Sequence, residues 1–139
     1  MYGSINLRQT LIALSVIFLA GIWMANVNSH HYDIKNVTIS EADSLIKAGA
    51  LVIDVRDQDK FNFRHIPGAI LIPLEVLRAG IPLSLAAFKS RPIVIYCNEG
   101  LSHGPEGTAI LQKAGFAKAV NLESGIEGWA KSGMPIQRG

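Results

Sequence analysis

Hydrophobic and polar positions divide the chain into three stretches. From Leu11 to Ala25 (LIALSVIFLAGIWMA) fifteen residues run without a charge. They are apolar all round rather than along one stripe, which argues against a helix packed on a soluble core. Taken from Thr10 to Val27, the stretch is just long enough to cross a hydrocarbon layer, which needs about 17–25 residues. The residues up to Asn36 are polar, lack periodicity and read as a linker. From Val37 onward, short apolar runs alternate with longer amphipathic ones.

The third stretch is read element by element. Val37-Thr38-Ile39 is a β-prone entry, after which Ser40 is expected to cap a helix with Glu41 and Asp43 in its first turn and Gly49 past its end. Leu51-Val52-Ile53 stops at Asp54 and has the profile of a strand buried on both faces. Residues 57–68 are polar with interspersed aromatics and close on the turn Ile66-Pro67-Gly68. Ala69–Ile72 reads as a second buried strand, and 75–88 as a short helix and a loop broken by Gly80 and Pro82. Pro92–Tyr96 is a wholly apolar strand that delivers Cys97 at its C-terminal end. A glycine-rich turn (NEGLSHG) follows, then a helix opened by Pro105-Glu106 and running through Lys113 to Gly115. Ala119–Leu122 is a further strand, and Ile126–Lys131 a last short helix. Strands alternating with helices predict an α/β domain with a parallel sheet covered on both faces.

Charge narrows the function classes. Thirteen Lys+Arg against eleven Asp+Glu leave a formal charge of +2, scattered along the chain, so nothing points to nucleic acid. One cysteine excludes an intramolecular disulfide and a multi-cysteine metal site. His30 and His31 are adjacent but have no visible co-ligand, so a metal is not expected there. Arg8 lies before the apolar stretch, which predicts an N-in topology with the domain exported, to the periplasmic face in a bacterium. Trp23 suits an uncleaved anchor. A cleaved signal sequence is the alternative, with only the weak site Val27-Asn28-Ser29 behind it. The expected organisation is an anchor or signal over 1–27, a linker over 28–36 and a domain over 37–139.

Cys97 is the candidate nucleophile. In parallel sheets, sites form beyond the carboxyl ends of the strands, and Cys97 stands at one. A thiol between a strand end and a helix N-terminus faces free backbone N–H groups and the positive end of the helix dipole, which stabilise a thiolate and any anion attached to it. Gly100 and Gly104 let the loop curl so that successive amides point inward. The alternative reading is a small buried hydrophobe.

Three blocks in order carry a family resemblance. Val52-Ile53-Asp54-Val55-Arg56, with Lys60-Phe61 and then His65-Ile66-Pro67-Gly68-Ala69, resembles the signature of the rhodanese family. Tyr96-Cys97-x-x-Gly100 resembles its active-site loop, and Asn121–Ile126, Trp129 and Gly133-Met134-Pro135 resemble its C-terminal segment. The resemblance implies a rhodanese-like α/β fold with a five-stranded parallel sheet flanked by helices, here behind an N-terminal membrane helix. It implies a persulfide on Cys97, taken from a small sulfane-sulfur donor and passed to a thiol or cyanide, with no cofactor or metal required. Substrate would be held by Asn98, Glu99, Gly100, Leu101, Ser102 and His103, with Lys60 at a position where thiosulfate-using relatives can present a basic side chain. Asp54, Arg56 and the His65–Gly68 turn are read as structural.

The loop departs from the family pattern. Active rhodaneses commonly carry arginines where this chain has Asn98 and Ser102, and acidic Glu99 lies between them. The segment Cys97–Gly115 looks one residue longer, which predicts a later helix start at Gly104-Pro105 and a wider cradle. A phosphatase on the same fold would need an arginine to hold three phosphoryl oxygens, and His103 is a poor replacement. A binding module with little turnover is the remaining alternative.

Overall fold

A computed structural model describes residues 10–12, 15 and 31–139, which fall into two units, Met1–His31 and Tyr32–Gly139. In the first unit, Thr10–Ile12 and Ser15 are helical. The rest of the apolar stretch, including Trp23, the cleavage-site candidate and His30, lies outside the described residues. Among the described residues no helix is long and apolar enough to cross a membrane.

The second unit is built on β1 (Asn36–Val37), β2 (Leu51–Asp54), β3 (Ile70–Leu71), β4 (Ile93–Tyr96) and β5 (Ala119–Leu122). They form one parallel sheet in the order β1-β5-β4-β2-β3. The helices are α1 (Ile39–Lys47), α2 (Gln58–Phe63), α3 (Leu74–Ala79), a 3₁₀ turn (Leu83–Phe88), α4 (His103–Lys113) and α5 (Gly125–Lys131).

Period-two alternation sorts the strand residues into two cores. Ile53, Val55, Ile93, Ile95 and Cys97 face one side, with Leu74 and Leu77 of α3, Leu85 of the 3₁₀ turn and Leu111 of α4. Val52, Val94, Tyr96, Val120 and Leu122 face the other, with Ala42 of α1 and Ile126 and Trp129 of α5. Ile53, Ile93 and Ile95 are fully buried, each burial contributing about 1.5–3 kcal/mol. Cys97 thus enters the first core as the next odd residue after Ile95, on the side that α4 covers.

Several element boundaries correct the sequence reading. The helix cap is Thr38 rather than Ser40: Glu41 N–H donates to Thr38 Oγ1 and Thr38 N–H to Glu41 Oε2, closing a capping box. These bonds, the backbone one foremost, hold the Glu41 carboxyl below its usual titration range. β1 starts at Asn36, so the end of the expected linker already pairs with β5. β3 is an edge strand, with Ile70 exposed, because only β2 pairs with it. The polar 57–68 stretch contains α2, capped by Asp57. α4 starts at His103, not later, so Pro105 is its third residue. Proline is tolerated there because N–H groups of a first turn have no intrahelical acceptor.

One polar network ties the strand ends together. Asp54 is fully buried at the end of β2 and accepts from the Arg56 backbone N–H at 2.9 Å, from Arg56 Nε at 2.9 Å and from its NH2 group at 2.7 Å. The same NH2 donates to Arg64 O at 2.7 Å. Burial works against the Arg56 charge, but the hydrogen bonds and charge of Asp54 outweigh it and raise its titration. The guanidinium carbon lies 5.6 Å from the centre of the Tyr96 ring, and the Tyr96 hydroxyl accepts from Ile66 N–H at 3.2 Å. Burial, then the Asp54 charge, push that hydroxyl above the usual tyrosine range. His65 stacks on Phe61 at 3.9 Å and exchanges backbone hydrogen bonds with Gln137. The His65–Gly68 turn is thus tied by hydrogen bonds to Gln137 and to the Tyr96 hydroxyl.

Asp54→Ala strands a buried guanidinium and should cost about 3–5 kcal/mol in urea unfolding. Lys47→Ala, which breaks the exposed pair with Asp43, should leave the midpoint unchanged. Equal small effects would show that the buried pair does not hold the fold.

Candidate active site

β4 ends at Tyr96, and the chain leaves the sheet at Cys97, which is 4% exposed. Gly100 reverses the loop at φ +76°, a backbone region that favours glycine, and turns its N–H to donate to Cys97 Sγ at 3.2 Å. A Cβ on Gly100 would stand 2.1 Å from Glu123 O, so the loop lies directly on the backbone after β5. α5 clamps the loop from its own start. Ile126 N–H donates to Cys97 O and Glu127 N–H to Asn98 O, both at 3.0 Å. Gly125 allows that approach, at φ +55° and with no Cβ to meet Asn98 O at 2.4 Å.

The sulfur opens onto a cleft of about 340 Å³ between the carboxyl ends of β2, β3 and β4. All the expected site residues line it except Gly100, which is buried beneath the loop: Asn98, Glu99, Leu101, Ser102, His103 and Lys60 meet Cys97 there. Asn98, Glu99, Leu101, Ser102 and His103 are exposed, Leu101 at 75%. The Ser102 side chain makes no cap hydrogen bond to α4.

Val55, Arg56, Asp57, Pro73, Leu74 and Glu75 complete the wall and were absent from the sequence-based set. Their signal was present, since they follow β2 and β3 at the same end of the sheet as Cys97.

The cleft holds little free positive charge. Arg56 is committed to Asp54, and Lys60 Nζ pairs with Asp57 at 2.7 Å. The Lys60 side-chain bond, then its backbone N–H, hold Asp57 below the usual carboxylate range. Glu75 pairs with Arg78, outside the wall. Among the described residues Glu99 has no cationic partner. Nor do the described residues include a cluster of His, Cys, Asp and Glu able to hold a metal.

A thiol at a strand end, a glycine amide aimed at its sulfur and a helix beginning across the loop match the architecture of one domain family. The rhodanese-like domain model matches residues 38–132. The chain belongs to the rhodanese-like family. The chain is 33% identical over 135 residues to the uncharacterized protein YibN of Escherichia coli K12, covering 95% of this chain and 93% of that one. Thiosulfate sulfurtransferase GlpE of Haemophilus influenzae is 28% identical over 102 residues, 73% of this chain and 93% of its own. Among solved structures, the human single-domain sulfurtransferase matches with a TM-score of 0.61 at 26% identity, over 69% of this chain and 95% of that one. Sulfur transfer is the general chemistry for which the last two are named.

Proposed function

We propose that this protein is a sulfurtransferase or persulfide carrier that works through Cys97. The observation that carries the reading is the Gly100 N–H held at 3.2 Å from Cys97 Sγ at the floor of an open cleft. A backbone donor there stabilises negative charge on sulfur, first on the thiolate and then on the persulfide. The Cys97 thiolate attacks the outer sulfur of the donor. A bond forms between the two sulfurs, the donor's own bond to that sulfur breaks, and sulfite or a thiolate departs. An acceptor thiolate or cyanide then attacks the terminal sulfur and releases the Cys97 thiolate. Neither step needs a cofactor or an outside oxidant. Asn98, Glu99, Gly100, Leu101, Ser102, His103 and Lys60 form the binding wall in this reading.

Charge argues for a donor other than thiosulfate. Thiosulfate is a dianion, whereas residues 98–104 carry no permanent positive charge and Glu99 adds a negative one. At an effective dielectric near 20, two unit charges about 6 Å apart interact by roughly 3 kcal/mol before screening. A third of that is already a several-fold penalty in affinity, since about 1.4 kcal/mol is tenfold. Persulfides of low charge avoid it.

Residues 1–27 act as a membrane anchor, N-in, with 28–36 as tether and 37–139 as the exported domain. Arg8 ahead of the uncharged Leu11–Ala25 run supports this arrangement. A cleaved signal and a soluble periplasmic domain form the alternative.

Three outcomes are expected. Incubated with a sulfane donor and weighed intact, the chain should gain about 32 Da, one sulfur atom, on the activated thiolate. Cys97→Ser should abolish the gain and leave unfolding cooperative. No adduct with thiosulfate, polysulfide or a small persulfide would instead favour a binding module.

Thiosulfate turnover should be weak and rise several-fold in Ser102→Arg or Glu99→Gln, with low-charge persulfides less affected. Equal responses of the two donor classes would overturn the electrostatic account.

A reporter fused after Gly139 should be active only when exported. Activity of a cytosol-dependent reporter at that position would refute the topology.

A further inference from the structure

Behind the Cys97 loop stands a buried amide that the proposed chemistry does not itself use. Asn121 lies within β5 in register with Ile95 of β4 and has no exposure to water. Interior strand positions of this kind are normally apolar, because a buried amide is costly unless hydrogen-bonded. Asn121 Nδ2 donates to Gly100 O at 3.0 Å and to Asn36 Oδ1 at 2.9 Å. Gly100 O can only accept, which decides which end of the amide is nitrogen.

The opposite end, Oδ1, is buried and has no hydrogen-bond partner. It lies 2.3 Å from the point where a Cβ on Gly104 would stand, and Cys97 Sγ lies 3.3 Å from the same point. One side chain therefore reaches both glycines: it bonds Gly100, whose N–H donates to Cys97 Sγ, and its unpartnered Oδ1 occupies the space a side chain on Gly104, in the first turn of α4, would need. A leucine of similar size would fill the space with no orphaned acceptor. A buried polar group kept at that cost calls for an explanation beyond packing.

We propose that Asn121 is the positioning residue of the sulfur cradle, holding Gly100 and Gly104 so that the loop amides stay aimed at Cys97 Sγ and at the sulfur it carries. The inference rests on the reading of Cys97 as the sulfur carrier. Gly100 has no side chain to restrain it and sits at positive φ, so its peptide groups are free to rotate unless something outside the loop holds them. The bond from Asn121 to Gly100 O supplies that hold from a strand that does not move with the loop. Losing it should weaken the Gly100 donor at the sulfur without displacing Cys97 from the end of β4.

The test compares iodoacetamide alkylation of Cys97 at pH 7 and pH 10 in the full chain. Asn121→Leu removes the donor to Gly100 with little change in side-chain size and should slow alkylation at pH 7 several-fold. At pH 10, where thiols are ionised with or without help, the rate should stay within twofold. Asn36→Ala removes only the other hydrogen bond and should match the wild type at both pH values.

If Asn121→Leu fails to unfold cooperatively, Asn121→Ser leaves room for water in place of the amide and should show the same pH-selective loss. Unchanged rates at pH 7 in folded variants, or equal losses at both pH values, would overturn the positioning role. Sulfur uptake by mass separates the two claims. A wild type that takes up no sulfur yet shows the pH-selective loss would sink the carrier reading alone. Uptake that is the same with and without the Asn121 amide would sink the positioning role alone.

Discussion

At the carboxyl end of β2, a fully buried carboxylate meets a guanidinium from two residues further on, and the strand ends around the cysteine are arranged about that pair. Parallel strands stop together at this edge, so each must turn away while leaving backbone polar groups behind. Asp54 absorbs the Arg56 N–H as β2 ends, and Arg56 reaches across to Arg64 O. Tyr96, under the same guanidinium, takes Ile66 N–H just before the chain reaches Cys97. An ion pair this deep repays its desolvation only through such additional hydrogen bonds. What it provides is geometry: the turn after α2 and the last residue of β4 share one fixed scaffold.

That scaffold also accounts for the character of the cleft. Arg56 lines it, yet its charge is already spent on Asp54. Lys60 faces it from α2, but the helix cap Asp57 holds the ammonium. With Glu75 and Glu99 on the wall and no arginine in the loop, the Gly100 N–H is the donor that the structure sets against the sulfur. Under the proposed function, such a site favours charge that develops on the bound sulfur itself over charge carried in by the donor.

Much of the fold was legible because apolar runs in a two-sided parallel sheet are continuous, and all five strands were expected near their observed places. The boundaries that shifted did so where tertiary pairing or capping decided. Asn36 joins β1 only because β5 lies beside it, and Thr38 prevails over Ser40 because Glu41 can close the box on it. α2 was not apparent from the sequence because none of its residues is buried, so it leaves no apolar stripe. Its evidence is the Asp57 cap alone.

The sequence by itself determined that one thiol exists, that it follows a fully apolar strand, and that a glycine-rich loop and a helix come next. Those are local facts and sufficed to single out the candidate nucleophile, while three blocks in order along the chain carried the family resemblance. Tertiary structure decided which neighbours that thiol has. The wall contributed by residues after β2 and β3 depends on strand order, which places β4 between β5 and β2. The clamp from α5 and the Asn121 brace come from residues more than twenty positions away, brought to the loop by the pairing of β4 with β5. The ion pairs that occupy Arg56 and Lys60 are by contrast local, with Asp54 two and Asp57 three residues away, whereas the wall they join exists only because the strand ends meet.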